Sequence, residues 1–296
     1  MVHRIVLTSV FVAAWGVAIA GAPPRQLSPT ETDQAINAVF AGAQGVVRME
    51  ADIITQKTGG MTRAPQITYE FLRIEAPARM WLQNRGTSEA PLPIEQSNLI
   101  LVDGRNIWEV EAGSGQSRER AVSRRAFTPN FGSGQARGLA VFIGLFLMGK
   151  EVTSAGQLRQ DFDIACVDEP IPNRAERTHH FTLTPRAGGE TIELWVLPGQ
   201  TLPWKVRSFE RKVIGFPPPK PGEQPRFRLE ESVRVLRNVR TNMNGLQPFN
   251  ANAFLLPLAQ DMRIRDEQTN QRWSLDDARR ELNEVVAEYQ RQQGYM

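Results

Sequence analysis

From Val47 onward the chain alternates apolar and polar side chains with a period of two, and that pattern constrains its fold more than any other feature. Val47, Met49, Ala51 and Ile53 alternate with Arg48, Glu50 and Asp52, giving one solvated face and one face that must be covered. Ile67, Tyr69 and Phe71 repeat the pattern opposite Thr68 and Glu70. Farther on, Phe227, Leu229, Val233, Val235 and Val239 hold odd positions, while Arg226, Arg228, Glu230, Arg234 and Arg240 hold even ones. That run predicts one long strand, or two joined by a bend. Residues 97–102 and 107–110 flank Asp103-Gly104-Arg105-Asn106, and residues 181–184 and 191–197 flank Ala187-Gly188-Gly189-Glu190. Both read as hairpins. Residues 202–209 add another strand. Sequential hairpins predict an antiparallel meander, and the 20 prolines and 23 glycines supply its turns.

Helices interrupt the strands. Ser28-Pro29-Thr30-Glu31 places a capping serine, a proline at the first helical position and a glutamate at the third. Ile36, Val39, Phe40 and Ala43 then form an apolar stripe that ends at Gly45. Residues 139–149 (LAVFIGLFLMG) are apolar on every side. Eleven such residues are too few to span a bilayer and read as a buried helix, either a core plug or a lid. Ser274 caps a last helix, whose stripe of Leu275, Ala278, Leu282, Val285, Val286 and Tyr289 is expected to dock on the protein's own body. The proline run in residues 211–226 predicts an exposed loop.

At the N-terminus, His3 and Arg4 precede an apolar run in residues 5–20, and Ala18-Ile19-Ala20 carries small residues at the positions a signal peptidase reads. Sixteen residues at ~1.5 Å give roughly 24 Å of helix, short of a ~30 Å hydrocarbon core. The expectation is an exported, periplasmic protein cleaved near Ala20, not an anchored one. Without Arg4, 34 basic side chains face 32 acidic ones, interspersed along the chain. That is no nucleic-acid footprint. A single cysteine, Cys166, allows no internal disulfide and reads as a small buried side chain.

Catalytic and metal signatures are missing. After cleavage only His179 and His180 remain, and as strand neighbours they point to opposite faces. No C-x-x-C, H-E-x-x-H, G-x-S-x-G or phosphate-loop motif occurs. Asp161 and Asp163, read as sharing one strand face with Asp168-Glu169 beyond, predict a solvated acidic edge. The expectation is a protein that is not an enzyme and takes no cofactor and no metal.

The strand motifs resemble a family. Val102-Asp103-Gly104-Arg105-Asn106-Ile107-Trp108 resembles the D-G-K-x-(L/V)-W hairpin of the periplasmic outer-membrane lipoprotein carriers, the LolA-like superfamily. Phe181-Thr182-Leu183-Thr184-Pro185-Arg186 with Ile192-Glu193-Leu194-Trp195-Val196 resembles its L-x-P-K hairpin. Ala51-Asp52-Ile53-Ile54-Thr55-Gln56 resembles its first strand, and residues 254–262 its closing segment. The shared order covers residues 28 to 264. One position departs: Ala76 stands before Pro77 where the family has an arginine associated with its closed state.

The resemblance implies a mainly β fold, an incomplete β-barrel closed by helices, with an apolar interior that receives acyl chains. The expected organisation is a signal peptide (1–20), the half-barrel (21–264) and a C-terminal helical extension (265–296). The implied function is an envelope carrier of lipids or lipoproteins, monomeric, working with membrane-bound donor or acceptor proteins. Related folds serve as envelope sensors, so sensor and structural roles stay open. The cavity and lid residues expected on this basis are Ile36, Phe40, Phe71, Trp81, Trp108, Phe142, Phe146 and Trp195. Their facing rests on period two, and a slip of one residue would turn a whole strand over.

Overall fold

In the computed structural model, strand β1 (Arg25–Gln26) and helix α1 (Pro29–Ala43) precede a first meander. It consists of β2 (Arg48–Thr58), β3 (Gln66–Glu75), β4 (Arg79–Asn84), β5 (Asn98–Asp103), β6 (Asn106–Val110) and β7 (Ala121–Ala126). Helix α2 (Ala155–Asp161) leads into a second: β8 (Phe162–Pro170), β9 (Arg177–Pro185), β10 (Ile192–Val196), β11 (Pro203–Val213) and β12 (Phe227–Thr241). A short hairpin, β13 (Arg263–Asp266) and β14 (Gln271–Trp273), and helix α3 (Leu275–Gln292) follow. The structure describes residues 22–43, 45–59, 64–75, 79–93, 96–111, 121–126, 154–172, 174–213, 227–256, 258, 262–267 and 269–294. The leader, Ala76 and Pro77, the apolar run 139–149 with Phe142 and Phe146, and residues 214–226 of the proline-rich loop lie outside them.

The fourteen strands among the described residues belong to one curved, unclosed sheet in the order β1-β8-β9-β10-β11-β12-β2-β3-β4-β5-β6-β7-β13-β14. The two meanders join where β12 pairs antiparallel with β2. The purely antiparallel expectation needs one correction: β13 runs parallel to β7, with Ile264 beside Val122. β12 is a single strand with a bulge between Arg237 and Arg240, where Asn238 takes φ 52° and its amide reaches Asp52 at 2.8 Å. The bend expected in that run is this bulge.

Local chemistry fixes the element ends. Glu31 N–H donates to Ser28 Oγ at 3.3 Å and Ser28 N–H donates to Glu31 Oε2 at 2.8 Å, closing the capping box that starts α1. Between β5 and β6, Gly104 turns at φ 99° while Asp103 accepts from Arg105 N–H and Asn106 N–H, both at 2.7 Å. Ser274 Oγ accepts from Asp277 N–H at 3.0 Å at the start of α3. Asp161 ends α2 and Asp163 lies in β8, so the two do not share a strand face as expected. The boundary drawn after residue 264 falls inside β13, and the C-terminal segment adds two strands to the sheet. Among the described residues no helix is long and apolar enough to cross a membrane.

Candidate functional site

Register across the sheet assigns every strand residue to one of two faces. On the front, Phe181 pairs with Leu194, Leu194 with Val206, Val206 with Arg234 and Arg234 with Thr55. The same face continues four residues back along β2, through Ala51, Leu72, Leu82 and Ile100. At one end of the front, α1 and α2 cover β8 to β11, where Ile36, Phe40 and Leu158 pack on Cys166, Phe181, Leu183 and Ile192. Burial pushes the Cys166 thiol up to about 12, so it stays protonated.

At the other end the covered face is the back. Helix α3 lays Ala278, Leu282, Val285 and Tyr289 on Leu99, Leu101, Trp108, Val110, Val122 and Ile264. Polar contacts fix it there. Tyr289 donates to Glu75 Oε1 at 2.9 Å, while Arg124 donates to Asp266 at 2.8 Å and to Glu281 at 2.7 Å. Burial and the adjoining Glu75 carboxylate raise the Tyr289 pKa, so its hydroxyl remains a donor.

Between these two helical packings the front face carries a third apolar cluster. Met49, Ala51, Ile53, Leu72, Ile74, Met80, Val102 and Ile107 are buried in it, and Leu82 and Ile100 are partly buried against it. Its described members come from strands and from the connections bearing Val46 and Leu202, with no helical residue among them. Along one margin the stripe meets charge. Thr55 Oγ1 donates to Glu70 at 3.3 Å, burial pushes the Glu70 carboxyl up, and burial pushes Arg234 down against the pull of Glu70.

Beyond Ile100 the same row runs through Glu109 and Ser123 to Arg265 and Arg272. An open groove of about 970 Å³ lies there, lined by Ile100, Glu109, Ser123, Arg263, Arg265 and Arg272 among others. Leu99, Val110, Val122 and Ile264 also border it, but their side chains are buried under α3, so these strands contribute backbone to the floor. The site is therefore an apolar stripe that runs into a polar, arginine-bearing groove.

Of the eight residues expected around one cavity, Phe142 and Phe146 lie outside the described residues, and the other six separate. Ile36 and Phe40, on α1, pack against the front. Phe71, Trp81, Trp108 and Trp195 are on the back, each one residue out of phase with a front-facing neighbour. The four aromatics have other occupations. Trp108 is fully buried under α3 and donates to Asp103 at 2.8 Å. Trp81 packs against the same cluster. Trp195 stacks on His180 at 4.1 Å, lies under Lys205 at 4.1 Å and donates to Glu169 at 2.7 Å. Phe71 lies 5.5 Å from the Arg85 guanidinium. His179 faces front and His180 back. Among the described residues no group of three or more His, Cys, Asp or Glu is placed to hold a metal ion.

No family model matches the chain, and no curated protein matches it. Solved structures do. The chain is similar to a LolA superfamily protein from Nitrosomonas europaea (11% identity, covering 73% of this chain and 94% of that one, TM-score 0.30). It is similar to the Mycobacterium tuberculosis lipoprotein LppX (13% identity, 75% and 100%, TM-score 0.37). A third is a putative outer membrane lipoprotein-sorting protein domain from Vibrio parahaemolyticus (11% identity, 76% and 98%, TM-score 0.33). What this chain binds has to be argued from its own geometry.

Proposed function

We propose that this is an exported, non-enzymatic envelope protein that takes the acyl chains of lipids or lipoproteins onto the front-face stripe between β2 and β6. The observation that supports it is the row Ala51, Leu72, Leu82, Ile100, apolar across four strands and continuous with an open groove. A chain laid along that row gains ~0.8 kcal/mol per buried CH₂. The protein needs no directional contact to hold it, which suits a carrier that must accept more than one acyl chain. Release to a membrane-bound acceptor then requires only a second apolar environment.

A titration with a fluorescent fatty acid tests the reading. Saturable binding is expected, and Leu82→Gln with Ile100→Gln should weaken it about ten- to a hundredfold, because each change removes part of a ~1.5–3 kcal/mol apolar contact. Trp195→Ala, on the back, should leave the affinity unchanged. Absence of saturable binding by the wild-type chain would overturn the proposal.

A further inference from the structure

We infer that the groove at β13 and β14 is a headgroup subsite for an acidic amphiphile, one that joins acyl chains to a phosphate-type anion. The inference rests on the acyl reading above and gives its ligand a charge.

Arg265 and Arg272 are direct cross-strand partners, and Arg263 is two residues along the same face of β13. All three line the groove. Like charges set opposite one another destabilise a strand pair, and this hairpin is only four and three residues long. A conflict of that kind is expected where a ligand relieves it. The protein does not relieve it: Arg265 donates to the neutral Asn270 oxygen at 3.0 Å, and among the described residues neither Arg265 nor Arg272 forms an ion pair.

The carboxylates of the lining are placed differently. Arg125 takes up Glu109 at 2.7 Å and reaches Glu267 at 3.9 Å, and Glu111 is the third acid of the lining. Two guanidinium forks side by side match the geometry of a phosphate or carboxylate, which accepts paired N–H donors. The row that carries them reaches Ile100 and Leu82 through Ser123 and Glu109. A molecule whose acyl chain lies on the stripe thus has its polar end at the arginines.

Two fluorescent probes with the same acyl chains, a phosphatidic acid and a diacylglycerol, separate the outcomes. The phosphatidic acid should bind about tenfold more tightly, the worth of one charge-assisted contact, and the advantage should shrink as salt rises. Arg265→Gln with Arg272→Gln should remove the advantage while diacylglycerol binding stays unchanged, and Arg265→Lys with Arg272→Lys should retain most of it. Equal affinities for both probes, unchanged in the glutamine variant, would overturn the headgroup subsite and leave the acyl reading standing. Failure of both probes would overturn the acyl reading itself. Inorganic phosphate, tested alone, should bind far more weakly than the phosphatidic acid. If it bound equally tightly, the groove would be a free-anion site and the amphiphile assignment would fall.

Discussion

Asp103 shows how much one side chain can fix. Its carboxylate accepts from Arg105 N–H, Asn106 N–H and Trp108 Nε1, so one acceptor shapes the turn and anchors the largest buried side chain under α3. Asp103→Ala strands those donors in a buried place and should cost about 3 kcal/mol in urea denaturation. Glu31 acts through charge instead. The Ser28 N–H, followed by the Arg25 guanidinium, holds its pKa near 2 against an ordinary 4.5. A depressed carboxylate contributes stability above its unfolded pKa and loses it as the pH falls through the folded one. The melting-temperature difference between the wild-type chain and Glu31→Gln should therefore be present at pH 6 and vanish as the pH approaches 2. Equal melting temperatures at pH 6 would contradict the capping role.

At the scale of elements, the C-terminal helix is part of the fold. Its stripe of Ala278, Leu282, Val285 and Tyr289 closes the back-face core, and Tyr289 reaches across to Glu75. Tyr289→Phe should cost about 1.5–3 kcal/mol, the worth of a hydrogen bond to a charged group, measured by denaturant unfolding. The sequence signalled this helix, α1 and most strands, because capping residues and period-two runs are local. It did not signal α2, whose seven residues are too few for a periodic stripe. Nor did it signal β13 and β14, four and three residues long. The facing of the aromatics was hidden for another reason. In β5, Leu99 and Leu101 point into the back core while Ile100 and Val102 point to the front. A strand apolar on both faces loses the alternation that would report its phase. Period two alone then left the facing of Phe71, Trp81, Trp108 and Trp195 open, and the register puts all four on the back.

Across the whole molecule, one sheet serves two cores on opposite faces at opposite ends, with the apolar front stripe between them. A fully packed barrel has no such arrangement. Here α1 with α2, and α3, each stabilise one end of the sheet, and the proposed acyl stripe lies between them. Cys166, fully buried beneath α1, should consequently react with thiol reagents at the same slow rate whether or not an acyl ligand is bound. Faster labelling on binding would mean that α1 itself moves. The central claim concerns which face takes the acyl chain, and photo-crosslinking reads it directly. A fatty acid carrying a diazirine on its chain is bound, irradiated, and its attachment points are resolved to single residues by tandem mass spectrometry. The account predicts labels on Leu72, Leu82 and Ile100; labels on Phe71, Trp81 and Trp195 instead would contradict it.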